Sequence, residues 1–328
     1  FSFLKDFKDT SQVLLDINFR SGAQIVDAAT RLISHNTKRF TKKFTAQRGD
    51  VAPVSVIEFK NPLLEVNTII NDIKAYIKSG KDINNIAVLF RTNLSPRLLI
   101  ERMMKNNIPF TVRDALPNLF EHWIAKDILA YIKLALNQGC RSQLLRISNK
   151  PNRYISRDSI SYSKGNIESL LDYFSDKSYM VNRILELYCD MNGIESDDCY
   201  SILEDLENSG GEYDNFTDWF THMEEYKQEL TELCKMSKDN YEGVRLMTFH
   251  SSKGLEFDIV YIIDVNEGSV PYKKAKGLDE IEEERRMFYV AMTRARYKLF
   301  ICYCKENFGK PLKKSDFLLE LSRSFKKS

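Results

Sequence analysis

Two hydrophobic periods alternate along the first third of this chain. Short apolar runs at 54–59 and 86–90 read as strands. Apolar residues recurring every three or four positions read as helices after Ser21, over 63–79 and over 96–106. Strand alternating with helix predicts a parallel sheet covered by helices. From about Pro117 the strand pattern stops, and Trp123, Ile124, Ile128, Leu129, Ile132 and Leu136 fall at helical spacing. Strands resume only at Val244, over 244–249, 258–263 and 298–303. The economical reading is an α/β domain in two segments, 1–116 and 243–328, around an inserted, mainly α-helical domain at 117–242.

Composition adds bounds. A chain of 328 residues, 43 % apolar and 29 % charged, can bury one large or two ordinary cores, and two domains are predicted. A net charge of +2 neither requires nor excludes a polyanionic partner, because a local basic groove is enough to hold one. The six cysteines are scattered, without a Cys-x-x-Cys pair or a histidine cluster, so neither a metal site nor a disulfide framework is predicted. That usage fits a reducing, cytoplasmic setting. No signal-peptide pattern or membrane-spanning apolar run occurs, so no membrane partner is expected. The basic residues Lys38, Arg39, Lys42, Lys43 and Arg48 read as a solvated connection from helix to strand. The stretch 195–232 is acidic, with only Lys227 positive, and should repel a phosphate backbone.

The chemistry concentrates in two blocks. Val244-Arg-Leu-Met-Thr-Phe-His-Ser-Ser-Lys-Gly-Leu-Glu-Phe257 runs from strand through turn to strand, which is expected to cluster Thr248, His250, Lys253 and Glu256 at one sheet edge. Ligands of open α/β sheets bind at such edges. Glu282-Glu-Glu-Arg-Arg-Met-Phe-Tyr-Val-Ala-Met-Thr-Arg-Ala-Arg296 reads as a helix with acids in its first turn and Arg294 at its end, just before a strand. These blocks resemble the fifth and sixth motifs of UvrD/Rep/PcrA-type superfamily 1 ATP-dependent DNA helicases. Leu14-Leu-Asp-Ile-Asn-Phe-Arg-Ser21 resembles the fourth motif, and Phe90-Arg-Thr-Asn93 resembles the DNA-facing segment. All four occur in family order, and the likeness is weakest between about Pro117 and Glu242.

The resemblance implies a RecA-like second motor domain, of P-loop NTPase type, carrying an accessory insertion. It implies that Arg20 and Arg294 reach the γ-phosphate of ATP, where an arginine from a neighbouring domain stabilises phosphoryl transfer. Phe19 stands where the family usually has a tyrosine stacked on adenine, and keeps the π-face. Glu256 matches the acid that accepts from the ribose hydroxyls. Arg91, Thr92, Asn93, Thr248, His250 and Lys253 match residues that grip single-stranded DNA without reading bases. His250 is also a candidate to couple the DNA and ATP sites. No Gly-x-x-x-x-Gly-Lys-Ser/Thr occurs, so this chain alone is expected not to hydrolyse ATP. The start at Phe1, within twenty residues of the fourth motif, predicts a fragment. A preceding RecA-like domain is then expected to supply the phosphate loop and the Mg2+ ligands.

Asn149-Lys-Pro-Asn-Arg-Tyr-Ile-Ser-Arg157 resembles the family's hairpin entry, with one departure. The usual Gly-Ile-Gly, whose amides approach a phosphate closely, is replaced by Tyr154, Ile155 and Ser156, which argues against duplex binding there. The leading expectation is the C-terminal half of a 3′ to 5′ helicase or translocase acting on single strands and their junctions with duplex. One alternative is a silent RecA-like scaffold, against which the retained Arg20, Arg294 and Glu256 argue. Another is the motor of a helicase–nuclease subunit, which lacks support because no nuclease-like acid–lysine cluster follows the sixth motif.

Overall fold

A computed structural model describes residues 16–39, 44–49, 51–93, 95–113, 118–136, 138–149, 202, 205–206, 209–211, 213–235, 242–307 and 309–322. Strands β1 (Ile17–Gly22) and β2 (Thr45–Arg48) pair in parallel beside the main sheet. The main sheet holds β3 (Ser55–Phe59), β4 (Ile86–Phe90), β5 (Phe110–Val112), β6 (Val244–Thr248), β7 (Phe257–Ile262) and β8 (Ala295–Cys304). Its order is β3-β8-β7-β4-β6-β5, and every neighbouring pair runs parallel. β4 and β7, central in this order, are near-continuous apolar runs, as strands covered on both faces must be.

Alternate side chains of these strands face opposite layers. Ile86, Val88, Phe90, Leu246, Ile259 and Tyr261 join one core with α2 (Pro62–Lys78), α3 (Arg97–Lys105), α4 (Trp123–Ala135) and α6 (Phe216–Lys235). Ala87, Leu89, Met247, Val260 and Ile262 join the other with α1 (Ala23–Ile33), α7 (Leu278–Met292) and α8 (Asp316–Ser322). α2 shows how local sequence sets such a layer. Asn61 caps it, its Oδ1 accepting from Leu64 N at 3.0 Å, and Pro62 pre-sets the first turn. Val66, Ile69, Ile70 and Ile73 then fall on one face and are buried, each worth roughly 1.5–3 kcal/mol relative to exposure.

The α/β architecture with a parallel sheet matches the expectation from periodicity. The predicted elements 54–59, 63–79, 86–90 and 96–106 correspond to β3, α2, β4 and α3 within about one residue. The short strands β1, β2 and β5 have no counterpart in the sequence reading. Helix α7 begins at Leu278, ahead of the acids that marked it, with Glu280 accepting from Gly277 N at 3.1 Å.

The described parts of the predicted helical segment lie against the sheet. Phe120 packs edge-on to Tyr226 at 5.4 Å and to Trp219 at 6.5 Å, inside the same core as Phe90 and Leu246. Two polar contacts tie α3 to this layer: an ion pair of Arg97 Nη2 with Asp205 at 2.7 Å, and His222 Nε2 within 3.2 Å of Glu101 Oε1. Helix α5 (Arg141–Ile147) packs on α4, and Arg146 Nη2 donates to Trp123 O at 3.0 Å. The hairpin-like residues Tyr154, Ile155 and Ser156, the basic residues Lys42 and Lys43, and much of the acidic stretch lie outside the described residues. Among the described residues no helix is long and apolar enough to cross a membrane.

Candidate functional site

In a parallel sheet all strand amino ends share one edge, and the sheet divides the candidate residues between its two edges. Glu256 and Arg294 immediately precede β7 and β8, and Phe257 N donates to Arg294 O at 2.9 Å, so both stand at the amino edge. β1 lies against β8 and brings Phe19 and Arg20 to the same place. Within β1, Asn18 Oδ1 accepts from Arg20 N at 2.9 Å and Ser21 N at 3.0 Å, a local turn that sets where Arg20 points. Arg20 Nε then donates to Glu256 Oε2 at 2.8 Å.

Glu256 has a second partner. Arg296 Nε donates to Glu256 Oε1 at 3.1 Å, its Nη2 binds the same oxygen, and its Nη1 reaches Asp258 Oδ1 at 3.3 Å. Hydrogen bonds first from Arg20 and then from Arg296 hold the Glu256 carboxyl below the ordinary range. Ile17, Asn18, Phe19, Arg20, Arg48 and Glu256 line a cavity of about 430 Å³. Phe19 is 65 % exposed, an unsatisfied aromatic face at its wall. Arg48 closes the far side, donating from Nε to Phe19 O at 3.2 Å, its guanidinium 5.0 Å from the Tyr297 ring centre.

Arg294 is buried beside this cavity. Its guanidinium donates to Val290 O at 2.9 Å, Leu255 O at 3.1 Å and Thr293 Oγ1 at 3.2 Å. Burial, and then the positive charge of Arg20, push it down to about 10, which leaves it cationic at neutral pH. Two mutually repelling guanidinia beside an open cavity favour an anion there.

The carboxyl edge holds the other candidates except Lys253, which lies in the segment that returns to the amino edge. Phe90 pairs with Thr248 and Ile86 with Ile259, so Thr248 lies at the end of the sheet opposite Phe257. Five residues of strand separate the two edges by about 17 Å. The expected clustering of Thr248 and His250 with Glu256 at one edge is therefore corrected. Periodicity marks both strands but not which ends coincide. The segment 249–256 runs back beneath β4 through successive turns, with Ser252 N donating to Thr248 O at 3.1 Å and Leu255 N to Ser252 O at 3.1 Å. Gly254 makes the last reversal at φ +88°, a conformation side chains disfavour.

At the carboxyl edge Arg91, Thr92 and Asn93 follow β4, while Thr248 ends β6 and His250 lies just beyond it. Asn93, His250 and Lys253 are exposed. Thr248 Oγ1 lies 3.0 Å from Ser251 Oγ, and Thr92 Oγ1 lies 3.1 Å from Ser95 Oγ. Arg91 is not a bare cation: its Nε and Nη2 donate to the two oxygens of Glu284 at 2.8 and 2.7 Å. Three residues at these two edges escaped the sequence reading. In sequence Arg48 reads as part of a solvated connection, and Arg296 and Glu284 sit inside the quoted motif without a distinguishing signal; only the long-range pairings single them out. Of the basic run, Lys38 bonds Asp279 at 2.6 Å rather than lining the cavity. Among the described residues no group of three or more His, Cys, Asp or Glu could hold a metal ion.

Comparison with known proteins places the chain in a family. The chain is 27 % identical over 374 aligned positions to the ATP-dependent DNA helicase PcrA of Staphylococcus aureus strain MRSA252, covering 98 % of this chain and 51 % of that protein. It is 28 % identical over 347 positions to PcrA of Staphylococcus epidermidis strain RP62A, covering 92 % and 48 %. The chain thus spans about half the length of the curated relatives it matches. The C-terminal domain of a possible DNA helicase from Lactobacillus plantarum WCFS1 aligns over 93 % of this chain and 94 % of its own, at 11 % identity and a TM-score of 0.39, too loose to add to the assignment. A family model described as the UvrD-like helicase C-terminal domain matches residues 13–239 and 197–306, together most of the sequence. This chain belongs to the UvrD-like helicase C-terminal domain family.

Proposed function

We propose that this chain is the C-terminal motor half of an ATP-dependent DNA helicase or translocase that moves 3′ to 5′ on single strands. One observation carries the reading: Phe19, Arg20 and Glu256, from segments 236 positions apart, line one cavity flanked by Arg294. An exposed aromatic face, a carboxylate and several guanidinia suit the base, ribose and phosphates of ATP. When bound, ATP supplies the phosphoanhydride whose cleavage powers the motor. Phe19 offers its ring for stacking. Glu256 accepts hydroxyl hydrogens, and its pairing with Arg296 and Arg20 keeps it ionised to do so. Arg20 and Arg294 present positive charge where negative charge accumulates during phosphoryl transfer.

In this reading the phosphate loop and Mg2+ ligands belong to a preceding RecA-like domain, and closure of that domain onto the amino edge completes the site. Residues 1–116 and 243–328 form the second RecA-like domain, and 117–242 form the accessory insertion, part of it seated on the sheet. Arg91, Thr92, Asn93, Thr248, His250 and Lys253 form the single-strand grip, within reach of a duplex junction, in a cytoplasmic protein. The assay is ATP hydrolysis with and without single-stranded DNA, for this chain alone and joined to its N-terminal half. Silence alone and DNA-stimulated turnover when joined are expected, with turnover lost in Arg294→Ala. Turnover by the isolated chain, or none in either form, would overturn the reading.

A further inference from the structure

Helix α7 spans the sheet from edge to edge. Ten residues separate Glu284 from Arg294, a rise of about 15 Å, which matches the length of the neighbouring strands. At its carboxyl-edge end Glu284 is buried and accepts twice from Arg91, at 2.8 and 2.7 Å, and once from Tyr272 N at 3.1 Å. The Arg91 guanidinium lies 5.1 Å from the centre of the Tyr272 ring. At the other end the chain delivers Arg294 beside Arg20. Close to Glu284, α7 is bolted to its neighbours. Glu282 accepts from Thr37 N at 2.5 Å and Thr37 Oγ1 at 2.7 Å, and Arg285 makes a two-point pair with Glu320 at 2.7 and 2.8 Å.

We propose that Glu284 is a positioning residue for the DNA grip, clamping Arg91 and the Thr92–Asn93 turn to the same rigid helix that carries Arg294. This rests on the motor reading above. The pairing engages the Nε and Nη2 edge of the guanidinium and leaves Nη1 on the other edge, so one fixed Arg91 rotamer is presented to the carboxyl-edge surface. The Tyr272 ring lies beneath its charged head, a cation–π contact. Without Glu284 the long arginine side chain regains its rotamer freedom, and the turn that follows β4 loses its anchor to α7. The nucleotide cavity, about 17 Å away, keeps all its contacts.

The test uses the complete protein, with Glu284→Gln and Arg91→Lys, which keeps the charge but not the two-point pairing. ATP turnover is measured against the concentration of a single-stranded oligonucleotide, and thermal melting checks that each variant is folded. The expected result is a roughly tenfold rise in half-saturating oligonucleotide concentration for each variant, about one 1.4 kcal/mol step. For Glu284→Gln the maximal rate and the KM for ATP should stay within about twofold, and the double variant should be no worse than the worse single one. An unchanged half-saturation point, a fall confined to the maximal rate, or multiplied effects in the double variant would overturn the proposal. If Glu284→Gln does not fold, Arg91→Lys alone must show the tenfold rise. A wild-type protein whose hydrolysis ignores DNA would instead sink the motor reading on which this inference stands.

Discussion

Replacing Arg20 by alanine separates a functional charge from a structural one. Its contact in this chain is the 2.8 Å pair with Glu256, and the two side chains are 31 % and 38 % exposed. Ion pairs of that exposure contribute about 0.2–1 kcal/mol, and solvent screening places this one toward the low end. Removing Arg20 does not strand Glu256 either, because Arg296 still holds its other oxygen. The melting temperature should therefore fall by no more than about 3 °C. If Arg20 instead meets developing charge on a transferring phosphoryl group, its loss costs roughly a thousandfold or more in turnover, about 4 kcal/mol in the barrier. The two readings differ by several kcal/mol, well outside the error of either measurement. The assay pairs thermal melting with steady-state ATP hydrolysis at saturating single-stranded DNA, in the protein that includes its N-terminal half. Turnover within tenfold of wild type would refute the reasoning. So would a melting shift large enough to explain the loss by unfolding. Arg294→Ala is a less clean probe, since its guanidinium serves two backbone carbonyls and a hydroxyl that would lose their donor.

Phe19→Ala should raise the KM for ATP roughly tenfold, since stacking of a base on an aromatic ring is worth ~1–3 kcal/mol, yet barely move the melting temperature because the ring is 65 % exposed; an unchanged KM would remove Phe19 from the base site. The Glu65 carboxyl is raised to about 8, first by burial and then by Asp264. The folded state therefore binds this proton more tightly than the unfolded one, so the stability it contributes is full below pH ~4.5 and is lost as pH rises toward 8. In denaturant titrations at pH 5 and pH 8, Glu65→Gln should lose less stability than wild type across that interval; parallel losses would show that Glu65 is not the linked group. Asp205→Asn leaves Arg97 charged in a buried site, and should destabilise the chain by about 3 kcal/mol in the same titrations. A change under about 1 kcal/mol would mean that the pair is not what fastens this layer to α3.

Much of the fold is legible in sequence because its signals are local. The unbroken apolar run Ile86 to Phe90 announces a strand covered on both faces, and Asn61-Pro62 followed by Val66, Ile69, Ile70 and Ile73 announces a capped, one-faced helix. The short strands β1, β2 and β5 are not legible there, because a few mixed polar and apolar residues become a strand only when a partner strand is alongside. Ile17 and Phe19 remain half or more exposed within β1. The site divides in the same way. The motif residues Phe19, Arg20, Glu256 and Arg294 stand out as residue types in a recognisable order. Arg48, Arg296 and Glu284 acquire roles only through contacts across 29 to 249 positions of chain.

By itself, then, the sequence determined the alternation of strand and helix, the family to which the motifs point, and the residue types on which the proposed nucleotide and DNA sites draw. Tertiary structure alone decided the strand order β3-β8-β7-β4-β6-β5 and the separation of Glu256 from Thr248 to opposite edges. It also decided the pairing of Arg91 with Glu284 and of Glu256 with two arginines. The physical reason is range. Periodicity and capping act over a few residues and are written in the local composition, whereas strand order and charge partners follow from which distant segments together bury the most apolar surface with their polar groups satisfied.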